Sequence, residues 1–582
     1  ITNFGVLNLG DVSSTTATGE VVQTGGIWMQ RNTAVNIGRE FGTVGTATIS
    51  GGQMLALAEL SSTRFFSIGN RGTGFLNING TGSLLLSNVN EFQGFTVGFS
   101  RNDATTIAHG TVNLSGGTLT FLESEILIGG SGRGTFNFSG GSLLVTGSSS
   151  RVFVVGAERS GQLFAGVGTV TVSGGVATNF NQLIFGNATG GRTATGVYSQ
   201  VAGSWTQRGL INVGSTNGNV GTLTVGGGTF TVLNNTVTVG ASGLGSVAVT
   251  GGVFRLTAPG TGTLALGLNA SGHGSFTVSG GAVTLDLGTS GQFHVGQSGR
   301  GTLTISGGSL FITNASPNTP NGLIVGANGG AVGTVLVSGG EITNFAPLTV
   351  ANSLTVAAAV TGSYTQTGGR WVQNNIMQVG RLETNVGTFT LNSGTFEARG
   401  LDPSLASMIV GNVGSGTFIM NGGSLLISNM VQFGGLVLGH ATTGRGQMTI
   451  NNGTVLLNPS ASADPVVTIG RAGHGTLTIN GGSLVFTNFG TTLGTRGIIL
   501  GAVDSGSGRI EMQGGTVQNF GDLYVASGTG TGTRTGVFAQ TAGVWNQRGD
   551  LFIGRLTGDR GTLTISGGTF TASSNTVVGA SG

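Results

Sequence analysis

Chemistry needs acids and bases, and this chain has few: 20 Asp plus Glu and 5 His in 582 residues. Glu123 and Glu125 are two apart, a spacing that on a strand puts both carboxylates on one face, as paired acid–base work requires. The residues favour a plainer reading, a charged edge that deters sideways sheet pairing. Nine Asp in the whole chain cannot supply one to each repeat, as the calcium rungs of some solenoids need. His109, His273, His294, His440 and His474 are never three to five residues apart, the spacing that lets two imidazoles share a metal on a helix. His273 and His474 share the context Gly-His-Gly before a strand and are expected at exposed loop tips. The run Gly528-Thr529-Gly530-Thr531-Gly532 mimics a phosphate-cradling loop, but no helical pattern follows to supply N-terminal amides. No catalytic residue, cofactor or metal is expected, and the chain reads as a non-enzyme.

The elements that would position such residues follow from composition. Gly contributes 116 residues, and there are 31 Phe, 7 Pro and no Cys. Collagen would need Gly at every third position and far more Pro. Disorder would need less apolar material than the 38% present. The basic residues are all Arg, 23 of them, scattered among the acids to a net charge of +3, so nucleic-acid binding, which needs clustered basic charge, is excluded. Without Cys there is no disulfide framework or thiolate chemistry, and without Lys no Lys–Asn isopeptide staple. No membrane span is present in the sequence.

A phrase of the form Gly-Thr-Leu-Thr-Ile-Ser-Gly-Gly recurs from end to end, nearly intact from Gly221, Gly301, Gly475 and Gly561. Successive Gly-Gly corners are about 28.5 residues apart on average, a solenoid period. Within a unit Leu303 and Ile305 alternate with Thr302 and Thr304. Leu310 and Ile312 alternate with Ser309 and Phe311 after the corner, and an apolar run such as Leu323-Ile324-Val325-Gly326 closes the turn. Period two means strands. The expected fold is all-β, a parallel β-helix of about twenty turns with three short strands and three sheets, forming one continuous solenoid over residues 1–582.

Four Trp residues, Trp28, Trp205, Trp371 and Trp545, lie roughly 170 residues apart with six corners between each pair. Super-repeats are thus read at approximately 26–202, 203–368 and 369–542, with partial copies at 1–25 and 543–582. Val578-Gly579-Ala580-Ser581-Gly582 aligns with Val239-Gly240-Ala241-Ser242-Gly243, so the sequence reads as a window on a longer one. The Trp turns are preceded by Thr2-Asn3-Phe4, Thr178-Asn179-Phe180, Thr343-Asn344-Phe345 and Gln518-Asn519-Phe520. In them Gln replaces the inward Ile at Gln23 and Gln30, Gln200 and Gln207, Gln366 and Gln373, and Gln540 and Gln547. If the alternation holds, each such turn buries two amides beside an indole. They must then bond each other, the Trp N–H or nearby backbone, because an unpaired buried amide costs about 1–3 kcal/mol. The alternative is a bulge that turns the Gln outward. The functional reading is a polar rung that marks register every sixth turn, roughly 29 Å apart.

Asn88, Asn234, Asn314, Asn429 and Asn488 each follow a corner by six residues and read as turn residues that stack, with glycan contact as the lesser reading. Outward Thr pairs (Thr222/Thr224, Thr302/Thr304, Thr476/Thr478, Thr562/Thr564) raise ice binding, but β-propensity explains them.

The repeat phrase followed by an apolar strand and Val295-Gly296-Gln297-Ser298-Gly299 resembles the β-strand repeats associated with type V secretion and PEP-CTERM proteins, the autotransporter-like passengers. The resemblance covers essentially the whole chain. It implies an exported protein, extracellular or on a bacterial cell surface, without a cofactor. The expectation is a non-enzymatic structural protein whose rigid solenoid self-associates end to end or laterally into a fibre or surface layer. The alternative is an adhesin that contacts host, glycan or abiotic surfaces through loops such as Ser87 to Ile107 and Val154 to Val167.

Overall fold

The alternating segments are strands, and the pairs they form are parallel throughout the computed structural model of the chain. The structure describes residues 1–12, 16–31, 33–58, 66–88, 94–100, 107–147, 151–158, 164–188, 190–258, 260, 262–313, 322–353, 359–400, 407–430, 435–459, 467–487, 496–528 and 532–579. No helix occurs among them. Two compact units, Ile1–Leu287 and Gly288–Gly582, are each a stretch of parallel β-solenoid, and each contains two of the four Trp turns.

A turn has three strand segments, as in Arg300–Ile305, Ser309–Thr313 and Leu323–Val325, here termed the first, second and closing strands. Among the described residues ten closing strands stack in one unit and eleven in the other. The expectation of three sheets is corrected at the Gly-Gly corner. In turns such as Thr195–Gln207 the first and second strands are one 13-residue strand that bends through the glycines, so they form two legs of one sheet. Pairing with the preceding turn continues on both sides of that corner and slips only at it, between Val172 and Ser173 and between Ser173 and Val176. This is the behaviour of a bulge, which bends a strand without ending it.

Register is kept from turn to turn. Gly221 pairs with Gly245, Leu223 with Val247 and Val225 with Val249, and the next turn continues with Gly274, Phe276 and Val278. Apolar columns therefore run along the interior, and Leu303, Ile305, Leu310 and Ile312 are all buried. The closing strand Leu323–Val325 is buried on both faces, all three side chains being inaccessible, whereas Asn212 and Gln378 are half-buried at the middle of Ile211–Val213 and Met377–Val379. Outside the solenoid interior, Leu127, Val154, Ala157 and Ile184 form a satellite apolar cluster on successive closing strands. Closing strands such as Leu323–Val325 read as unbroken apolar runs for this reason, since a strand covered on both sides has no wet face to keep polar, while others, such as Val237–Val239, carry a polar middle residue.

The Gly that opens the repeat phrase is set by backbone crowding. At Gly168 a Cβ would overlap the carbonyl oxygen of Ile128 and the backbone nitrogen of Gly156, whose own φ of 74° lies in the left-handed region. Two backbones meet there with no space for a side chain. Gly168→Ala is expected to destabilise the chain by about 1–3 kcal/mol. Gly25→Ala, where a Cβ meets nothing within 4 Å, should change stability by less than about 0.5 kcal/mol. Urea unfolding of the two variants checks the contrast; equal midpoints would refute the crowding argument.

Candidate functional site

The strand register carries both Gln of each Trp turn into the interior. Gln200 and Gln207, Gln366 and Gln373, and Gln540 and Gln547 are fully buried, as are Trp205, Trp371 and Trp545; Gln30 is fully buried and Gln23 nearly so. Trp28 is half-buried.

The paired Gln do not bond each other; each ties down a different corner. In the Trp205 turn the Gln200 Nε2 donates to the Gly203 carbonyl of its own Gly-Gly corner at 3.1 Å and to the Thr229 carbonyl of the next turn at 3.0 Å. Its Oε1 accepts from the Tyr198 hydroxyl at 2.9 Å. The Gln207 Nε2 donates to the carbonyls of Asn181, at 2.7 Å, and Gly209, at 3.1 Å, while its Oε1 accepts from the Trp205 indole at 3.3 Å. The Trp371 turn repeats this set through Tyr364, Gln366 and Gln373, with Thr395 and Ala346 as the neighbouring-turn acceptors.

One essential member was legible only as a marker. Asn179, in the turn before Trp205, donates its Nδ2 to Gln207 Oε1 at 2.9 Å. Asn344 does the same to Gln373, Asn519 to Gln547 and Asn3 to Gln30. In each copy the Asn Oδ1 accepts the backbone N–H two residues on, from Asn181, Ala346, Gly521 and Gly5. That same residue's carbonyl accepts from the Gln of the following turn. Both backbone groups of the corner residue, buried at Asn181, Ala346 and Gly521 and exposed at Gly5, are thus held by side-chain amides. The Thr-Asn-Phe segments signalled this, because Asn stands where other turns place Val or Ile.

The copies differ at the donor to the first Gln, and in the Trp28 copy the indole Nε1 is also buried without a partner. The residue two before the first Gln is Tyr198, Tyr364, Phe538 or Val21. In the two copies without a hydroxyl, Gln540 Oε1 and Gln23 Oε1 are buried with no partner. Burial raises the Tyr198 and Tyr364 phenols well above the usual tyrosine range, so they remain donors. Aromatic rings continue the column. Tyr198 meets Trp205 edge-on at 5.4 Å, and Trp205, Phe230 and Phe254 stack in successive turns.

The other candidates are not brought together. Glu123 and Glu125 share no strand face: they lie in the turn between His109–Leu122 and Ile126–Gly130, with Glu123 at φ 52° and 3.6 Å from Arg151. The pattern reading failed because a left-handed residue breaks the alternation. His273 and His474 are exposed, as expected, but as the first residues of strands rather than at loop tips, and His109 is likewise an exposed first residue. His294 is buried in the closing strand Gln292–Val295, where burial lowers its pKa to about 4. His440 is lowered by burial and then by Arg471. Asn234 turns the chain at φ 55°. Asn314 and Asn488, the side chains of Asn88 and Asn429, Thr529 to Thr531 and much of both long loops lie outside the described residues. At other positions Asn do stack: Asn392, Asn421, Asn451 and Asn480 form an exposed ladder, each amide donating to the one before at 2.7 Å, and Asn77, Asn113 and Asn137 form another. The Thr pairs face outward on the first strands.

Charged side chains also bond along the stack. Arg370 lies 2.8 Å from Glu341 of the preceding turn and from Glu397 of the following one, and Glu397 meets Arg399 at 2.7 Å. Burial acts to raise the Glu397 pKa, but hydrogen bonds from Arg399 and Arg370 outweigh it and hold the carboxyl below the usual glutamate range. Among the described residues no three His, Cys, Asp or Glu could hold a metal, and no helix is long and apolar enough to cross a membrane. The chain matches no protein-family model, no curated protein and no solved structure.

Two measurements test this geometry. Phe538→Tyr supplies the donor that Gln540 lacks and should stabilise by roughly 0.5–1.5 kcal/mol, while Tyr198→Phe orphans Gln200 Oε1 and should cost about 1–3 kcal/mol. Thermal unfolding of both variants decides, and opposite signs are required. Because Glu397 has a lowered folded pKa, its contribution is complete above the ordinary glutamate range and lost as pH falls through the lowered value. Urea midpoints of Glu397→Gln should lie below those of the parent at neutral pH and converge with them in acid.

Proposed function

We propose that the chain is a non-enzymatic structural protein of the bacterial cell exterior, whose rigid solenoid self-associates into a fibre or surface layer. The observation that carries the reading is where the polar side chains go. The Asn ladder, the Arg–Glu row and the Gln–Trp–Asn rungs bond from one turn to the next along the stack. In an enzyme on this scaffold such groups would converge on a substrate; here they reinforce the stack. The likeness of the repeat phrase to passengers of type V secretion and PEP-CTERM proteins supports an exported setting. Self-association is the partnership this reading requires, and nucleic acid has no place in it.

A second reading, an adhesin, is favoured by one surface feature. Beside the rungs, Phe180 is 37% exposed with the Arg208 guanidinium over its ring at 5.2 Å, and Arg548 covers Phe520 at 4.6 Å. A ring and cation at this position, found once in each unit among the described residues, suits stacking against a sugar. Negative-stain microscopy of native material should show polymers or arrays. Single rods that bind on a glycan array would replace the first reading with the second.

A further inference from the structure

We infer that the polar rungs are register keys, which stop the solenoid from closing with a turn left out. Ordinary turns are interchangeable inside. Val225, Val249 and Val278 pair in sequence, as do Phe230, Phe254 and Val283. If the turn carrying Val249 looped out, Val225 would meet Val278 and apolar would still meet apolar. The cost of closing such a loop rises only slowly with its length. The repeat alone therefore discriminates weakly between the native stack and a shortened one.

At a Trp turn the same omission is costly. In native register Asn179 pairs with Gln207, and Gln207 with Val232. With that turn looped out, the buried Asn179 amide faces Val232, which has no acceptor. The Asn181 carbonyl loses the Gln207 donor, and the Thr229 carbonyl loses Gln200. The second Gln is complete only with the preceding turn in place and the first Gln only with the following one, so a rung checks three consecutive turns. Neutral directional bonds do this without burying a charge.

The chain has no Cys, so introduced pairs report omission directly. In the first strands Thr171 pairs with Ser199, Ser199 with Thr224, Thr224 with Ala248, and Ala248 with Thr277. Cys at 171 and 224 would lie two strands apart, roughly 9.6 Å, beyond the reach of a disulfide, and become neighbours only if the Trp205 turn is skipped. Cys at 224 and 277 report omission of the ordinary turn in the same way. The full chain, carrying Thr171→Cys with Thr224→Cys or Thr224→Cys with Thr277→Cys, is refolded dilute under oxidising conditions. The intramolecular disulfide is then quantified by non-reducing electrophoresis and mass spectrometry. The ordinary-turn pair should bridge severalfold more than the Trp-turn pair. Adding Asn179→Val and Gln207→Val should raise the Trp-turn pair toward the ordinary level. Equal bridging in the two parent traps, or none in either, overturns the proposal, and neither result depends on whether the Val variant folds.

Discussion

Within each unit the described strands of a turn lie one strand spacing from those of the neighbouring turns and, along their straight segments, in register, so a side chain there meets the residue at its own position in the turns on either side. In an antiparallel sheet a residue faces a partner of different sequence position and complementarity can be mixed. Here like tends to face like, and only side chains that tolerate their own kind are stable in a column. Aliphatic residues do so by burial and aromatic rings by stacking, as at Trp205, Phe230 and Phe254. Asn does so because its amide is donor and acceptor at once, which Asn421 and Asn451 use. Like charges do not, and where charged side chains meet they are of opposite sign: Arg370 has Glu341 at its own position in the preceding turn and Glu397 diagonal to it in the following one. The scarcity of charge in the sequence is a consequence of this geometry.

The same stacking explains why the interior contains amides. Strand pairing satisfies the backbone along the straight segments, but carbonyls at corners point out of the ladder, and a buried one needs a donor. Gly203 and Asn181 are such acceptors, one at each end of the second strand. Gln has the reach to cap them from an inward position, and its spare oxygen then requires donors of its own. Tyr198, Trp205 and Asn179 are those donors. The rung's composition follows from the corners outward: two Gln for the carbonyls, then one hydroxyl, one indole and one amide for the Gln.

The parts of this that were legible in the sequence are those with a local signature. Alternation around Leu303 and Leu310 identifies strands, Gly-Gly the corner, and the unbroken run at Leu323 a strand covered on both sides. The burial of Gln200 and Gln207 follows from the same alternation. What was not legible depends on groups about one turn apart in sequence and on directions that periodicity does not encode. That Asn179 belongs to Gln207 requires knowing which corner residues stack and which way an amide faces. The first two strands run together because the bulge at Ser173 bends the sheet without breaking it, and Gly-Gly in a sequence looks the same in either case. Glu123 and Glu125 misled because a two-residue spacing implies a shared face only on a strand, and a single left-handed residue removes that premise.

Repetition and uniqueness pull against each other in such a chain. A short motif repeated many times gives each turn ready neighbours, which makes stacking easy, and the same similarity makes many stackings nearly equal in energy. A native state separated from its competitors by a gap needs some positions where the turns are not alike. Apolar substitution within a column supplies little of that difference, since Val, Leu and Phe accept one another with modest loss. Buried amides supply it, because a donor without an acceptor is penalised wherever it is displaced. The copies built on Phe538 and Val21 retain the amide core while leaving one oxygen unpartnered. The hydroxyl is therefore separable from the rung, and the constant part is the Asn, the two Gln and the corner carbonyls that bind three turns into one order.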